Sequence, residues 1–199
     1  MIKKYGFIGT LKLILSFIFT KMFFNNARLI RLPFDIRNKR YIKIGDKFTT
    51  GFGCRIEAFP LNNKKGKCLT IGKNVEINDY VHIAAVQSVI IGDNVLMASK
   101  IYISDCLHGS YSGDENDNNP NLPPNERPLS AKEVVIKDNV WLGEFVTVLP
   151  GVTIGKGSIV GANSVVSKSL PDFVIAVGIP AKPIKFFNFT TQRWEKYKS

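Results

Sequence analysis

An aliphatic residue returns at every sixth position of LGEFVTVLPGVTIGKGSIVGANSVV, at Leu142, Val148, Ile154, Val160 and Val166. A globular helix repeats its apolar face at three and four residues, and a half-buried strand at two. A period of six therefore demands a short strand and a turn, repeated without pause. The same spacing joins Ile71, Ile77 and Ile83, then Ile91, Met97 and Ile103, and Ile136 precedes Leu142 in the third run. Glycine follows the aliphatic position at 72, 92, 143, 155 and 161, and asparagine recurs in IGKNV, IGDNV and IKDNV. Both suit corners, because both tolerate positive φ. Three faces of this kind make one coil of about eighteen residues, with each aliphatic side chain stacked on its equivalents in neighbouring coils. The expected fold is an all-β solenoid, a triangular prism of parallel strands over residues 41–185. A two-residue slip between Ile83 and Ile91 predicts a bulged corner or small insertion.

The period lapses between Ile103 and Ile136. Asp, Asn and Gly crowd residues 113–121, three prolines (Pro120, Pro123 and Pro124) fall by residue 124, and the segment has no apolar period. It reads as an excursion loop over 105–133. Loops on rigid scaffolds often carry function, and His108 stands at the start of this one. After the last repeat, residues 171–184 read as a closing turn and short strand. Residues 186–199 read as a C-terminal helix with Trp194 as its packing anchor.

Residues 1–40 form a separate N-terminal segment. FIGTLKLILSFIFTKMFF, residues 7–24, is apolar but carries Lys12 and Lys21, and no small-residue cleavage site follows. It matches neither a signal peptide nor an uninterrupted span of about 20 apolar residues. Lys12, Ser16 and Thr20 recur at four-residue intervals, which predicts an amphipathic helix. Such a helix caps an open core, or lies on a membrane surface with Arg28 and Arg31 near the headgroups. Eleven of the basic residues fall within residues 1–50 against two acidic ones, in a chain of net charge +11. No zinc-finger, phosphate-loop or RNA-binding signature supports a nucleic-acid partner.

Cys54, Cys68 and Cys106 have no metal-ligand spacing, and an odd number of scattered cysteines fits a reducing compartment. The chain has two histidines, His82 and His108, too few for a zinc-dependent hydratase built on three. No metal is expected.

INDYVHIAA, ISDCLHG, RPL, VWLGEFVTVLPGVTIGKGSIVGANSVV and GIPAKPIK together resemble the hexapeptide-repeat acyltransferases. The likeness covers roughly residues 42–185. It is strongest to bacterial O-acetyltransferases of lipopolysaccharide O-antigen and capsule synthesis, within the branch of the galactoside and maltose acetyltransferases. The resemblance implies a left-handed parallel β-helix and a cytoplasmic homotrimer with its sites in grooves between adjacent prisms. The implied acyl donor is acetyl-CoA. The acceptor is a surface glycan, a lipid-linked glycan or a nucleotide-sugar precursor, and the inner face of the cytoplasmic membrane is a further candidate partner.

The resemblance also implies roles. His108 ends the phrase Ile103–His108 and is the expected general base, since an alcohol attacking a thioester must lose a proton and imidazole accepts one near pH 7. Transfer is direct, so Cys106 is not a covalent nucleophile. Asn78 matches an asparagine near the acceptor and the reacting centre; a corner asparagine satisfying its own turn is the rival. Asp105 is placed either to orient the histidine or bind the acceptor, or to cap the loop. His82 is a candidate acceptor contact. Trp141, Ala162, Ser167, Lys168, Lys182 and Lys185 match positions along the CoA arm, with the lysines as point charges for phosphates. Two departures stand out. Val86 replaces an acidic residue of the galactoside-type enzymes, and the N-terminal segment is unlike the sugar acetyltransferase cap. Acetylation of a small free sugar or antibiotic, and a non-catalytic scaffold, remain the alternatives.

Overall fold

The computed structural model describes residues 2–61 and 66–197. After an N-terminal helix, α1 (Ile2–Phe23), the chain visits three parallel sheets in strict rotation. The first face stacks Phe34–Arg37, Cys54–Ala58, His82–Ala85, Tyr102–Ser104, Thr147–Val148 and Val165–Val166. The second stacks Ile42–Ile44, Leu69–Ile71, Val89–Ile91, Val134–Ile136 and Thr153–Ile154. The third stacks Thr49–Thr50, Glu76–Ile77, Leu96–Met97, Trp141–Leu142, Ile159–Val160 and Val174–Gly178. Each turn of the chain crosses all three faces once, which makes the expected triangular prism. Stacking begins before residue 41, because Phe34–Arg37 pairs with Cys54–Ala58 and Leu29 bridges Thr49.

The six-residue period is the inward row. Ile56, Ile83, Ile103, Val148 and Val166 stand in register on the first face, and Ile77, Met97, Leu142 and Val160 on the third. All are essentially inaccessible. Asn74, Asn94 and Asn139 occupy left-handed corners, as expected. The repeat glycines do not: Gly72, Gly92, Gly143, Gly155 and Gly161 have ordinary φ. Their reason is proximity between coils. A Cβ on Gly143 would lie 2.7 Å from the Ala162 amide nitrogen.

The slip after Ile83 is a widened corner between the first and second faces. The long excursion leaves from the same corner one coil later. It opens and closes as an antiparallel ribbon of Cys106–His108 with Leu129–Ala131.

The C-terminal helix expected over 186–199 is replaced by a hairpin. Ala181–Asn188 pairs antiparallel with Val174–Gly178 and with Arg193–Lys196, so Trp194 packs across the ribbon on Phe187 at 5.3 Å. The open edge of the third face offers backbone partners at once, whereas a helix this short has a costly nucleus.

The N-terminal helix forms, interrupted at Gly6, but its polarity departs from expectation. Thr10, Ser16 and Thr20 are its buried residues. The Thr20 hydroxyl receives the Ile30 amide at 2.8 Å, and the Ser16 hydroxyl the Leu32 amide at 3.1 Å. Phe19 and Phe24 pack on the core, so the helix closes the first coil. Most of its other apolar side chains are exposed.

Candidate active site

His108 stands exposed at the end of the outgoing ribbon strand, opposite Leu129. Its backbone is fixed. Tyr111 donates its hydroxyl to the His108 carbonyl at 2.6 Å, and Gly109 donates its amide to Pro128. Arg127, of the RPL phrase, organises the arm: it donates to the Leu122 carbonyl at 2.8 Å, the Pro120 carbonyl at 3.0 Å and the Tyr111 hydroxyl at 2.6 Å. The imidazole has no hydrogen-bond partner among the described residues. The result is a rigid backbone presenting an uncommitted base, which is the arrangement proton transfer needs.

Among the described residues Asp105 makes no hydrogen bond or ion pair with His108. Its carboxylate is fully buried and accepts the amides of Val86 at 2.9 Å, Gln87 at 2.7 Å and Ser88 at 2.6 Å. These are the amides of the widened corner, where coil-to-coil pairing lapses. This engagement accounts for a buried carboxylate at the corner, with no solvent-accessible face turned to an acceptor. Cys106 is half-buried, with Sγ 3.4 Å from the Ser104 hydroxyl. Burial pushes its thiol above the ordinary range; the Ser104 hydrogen bond works against that, and the carboxylates of Asp105 and Glu57 add to it. A thiol held protonated is a poor nucleophile.

Asn78 lies exposed just beyond Glu76–Ile77, and only its backbone is engaged, through the Met97 carbonyl and the Cys54 thiol. Its side-chain amide has no partner among the described residues, unlike corner Asn74, which binds Arg28 and Asn94. Asn78 borders two clefts between α1 and the prism, of 680 and 490 Å³, which also share Leu13 and Arg31.

His82 projects from the first face. Its Nε2 lies 2.9 Å from Glu57 Oε1 and its ring packs on Tyr102 at 5.3 Å. Arg55 holds the other Glu57 oxygen at 2.7 Å, and Arg37 approaches it at 3.3 Å. Burial alone would raise the Glu57 carboxyl, but hydrogen bonds from His82 and Arg55 outweigh it and hold it below the ordinary carboxylate range. Sequence reasoning passed over Glu57, Arg55 and Arg37. The signal was available once the coils were aligned: Ile56 pairs with Ile83, so Arg55 must flank His82.

The residues expected along CoA divide. Trp141, about half exposed, shares an outward row of the third face with Ile159, Ile175 and Lys185, and Lys182 lies opposite Val177 on the same side. Ala162 is exposed at that face's edge. Ser167 and Lys168 sit elsewhere, just past the first-face strand Val165–Val166. Among the described residues none of the three lysines is ion-paired, which leaves their charges available to phosphates.

Residues 133–168 match the family described as "Bacterial transferase hexapeptide (six repeats)". "Putative lipopolysaccharide biosynthesis O-acetyl transferase WbbJ" of Escherichia coli K12 is 46% identical over 194 residues, covering 98% of this chain and 96% of its own. This chain belongs to the hexapeptide-repeat acyltransferases. The galactoside O-acetyltransferase of Escherichia coli K12 is 34% identical over 151 residues, 75% of this chain and 70% of its own. A mutant of AntD, an N-acyltransferase from Bacillus cereus, in complex with dTDP-4-amino-4,6-dideoxyglucose and coenzyme A, superposes with a TM-score of 0.65 at 27% identity over 79% of each chain. Membership in the hexapeptide-repeat family points to a left-handed winding of the prism, and makes this chain an acyltransferase.

Proposed function

We propose that this acyltransferase moves an acetyl group from acetyl-CoA to a sugar hydroxyl of a bacterial surface glycan or its activated precursor, on the cytoplasmic side. The observation that carries the reading is His108, exposed, without a hydrogen-bond partner among the described residues and held by a braced backbone at the root of the arm. Its imidazole takes the hydroxyl proton as the new carbon–oxygen bond forms. It then returns that proton to the sulfur as the carbon–sulfur bond breaks, so acetylated sugar and free CoA result with no covalent enzyme intermediate. Asn78, with its amide unengaged, positions the acceptor or the reacting carbonyl. Backbone amides of the groove are the donors to the developing oxygen charge. Trp141, Lys182 and Lys185 share one outward surface suited to an aromatic contact and phosphates, with Ala162 at its edge; Ser167 and Lys168 contact the donor from a second edge.

The kinship to WbbJ supports the surface-glycan acceptor. The AntD complex, with its nucleotide-linked sugar and coenzyme A, supports the donor and brings nucleotide sugars into the acceptor panel. The exposed apolar row Leu96–Trp141 supports a threefold assembly that would cover it. The test is thiol release from acetyl-CoA with a panel of glycans and nucleotide sugars. His108→Ala should lower acceptor-dependent turnover by about 10²–10⁴ while leaving CoA binding and melting unchanged. Full turnover by that variant would remove His108 from the chemistry, and absence of CoA binding by the wild type would remove the donor.

A further inference from the structure

Helix α1 is built inside out. Toward the prism it turns Phe19 and, among its polar side chains, Ser16 and Thr20, and each of these two hydroxyls is consumed by a prism amide. The side chains it turns to solvent are large and apolar, with Phe7 73%, Ile8 69% and Met22 68% exposed. On a wheel of 3.6 residues per turn, Phe7, Leu11, Leu15, Ile18 and Met22 form one outward stripe. Lys12 falls on one side of that stripe and Lys21 on the other. Lys3 and Lys4 lie at its start, and Arg28, Lys39 and Arg40 follow its end; Asp35 is the first acidic residue of the chain.

We propose that this outward stripe docks on an anionic lipid bilayer, with α1 lying in the interface. A contiguous apolar surface of this kind marks an interaction site. The charge pattern selects the partner. Protein interfaces are depleted in lysine, whereas a membrane interface places lysines beside the apolar stripe, their stems in the acyl boundary and their ammonium groups among the headgroups. The 22-residue helix has the length and hydropathy to cross a bilayer. Two observations keep it in the interface: four lysines along it, and the hydroxyl clasp at Ser16 and Thr20 that fastens it along the prism. Docking would bring the clefts beside Asn78 close to the lipid surface.

The experiment is co-sedimentation of the full chain with vesicles of phosphatidylcholine alone and of phosphatidylcholine mixed with phosphatidylglycerol. Wild-type protein should pellet with the anionic vesicles and be released in part by salt. The Lys12→Gln/Lys21→Gln variant should partition about 25-fold more weakly, at roughly fivefold per lysine. The Leu11→Ser/Leu15→Ser/Ile18→Ser variant should weaken on the order of a hundredfold, with circular dichroism melting and the mass by light scattering unchanged. Wild type that stays with the supernatant in both vesicle types overturns the proposal. So does a triple variant whose oligomeric mass falls while vesicle binding persists, which would assign the stripe to contacts between copies. Should the triple variant misfold, the lysine variant alone decides, and undiminished binding by it overturns the proposal.

Discussion

Replacing Asp105 with alanine separates a structural carboxylate from a chemical one. The fully buried side chain accepts three backbone amides within 2.9 Å. The variant removes both acceptor oxygens, and with them all three hydrogen bonds. An amide donor left unsatisfied in a buried position costs about 1–3 kcal/mol. Val86 is itself buried, so its N–H bears that cost in full; Gln87 and Ser88 are half-buried, and water recovers part of theirs. The sum is about 3–5 kcal/mol. At about 2–4 °C per kcal/mol for a chain of this size, melting should fall by roughly 6–20 °C. Asp105→Asn keeps one acceptor oxygen and should fall in between. Melting by circular dichroism, paired with thiol release measured below the transition, reads both consequences. Turnover per folded molecule should stay within about twofold of wild type. Unchanged melting with turnover down a hundredfold or so would refute the reasoning and return Asp105 to the chemistry.

Leu142→Ala, in the inward row between Met97 and Val160, should cost about 2–5 kcal/mol, read by chemical denaturation. Arg127→Ala removes the guanidinium that ties Leu122, Pro120 and Tyr111 together; limited proteolysis within the arm should accelerate about tenfold or more, with global melting little changed. Glu57, with its folded-state pKa held down, stabilises the protein above its unfolded-state pKa and loses that contribution as pH falls through the folded value. Glu57→Gln should therefore flatten the acid limb of the stability profile below about pH 5; an acid limb identical to wild type would show the carboxylate to be uncoupled from folding.

The prism was legible because its cause is local. A side chain every sixth residue must point inward if the chain turns at that interval, so Ile77, Leu142 and Val148 announce both their burial and their coil. The excursion was legible for the same reason: between Ile103 and Ile136 nothing apolar keeps the period. His108 stood out by scarcity and by its place at the edge of that break.

Other features depended on segments that only stacking brings together. Asp105 meets Val86–Ser88 because the excursion leaves the prism one coil beyond the widened corner. Glu57 meets His82 across 25 residues because two coils share a register. The glycines were placed at the right positions for the wrong reason: backbone approach between coils, which no single coil contains, excludes a Cβ. The terminal segments show the limit most plainly. Residues 188–197 carry a weak helical pattern, and the unpaired edge of the third face overrode it. In α1 the four-residue spacing of Lys12, Ser16 and Thr20 defined a polar face, but its orientation rested on the Ile30 and Leu32 amides, which need acceptors where the first coil closes. Sequence alone determined the period and hence the coil. The packed structure decided which polar groups are spent inside it and which face of the helix is left outside, because hydrogen bonds between distant segments outbid local pattern.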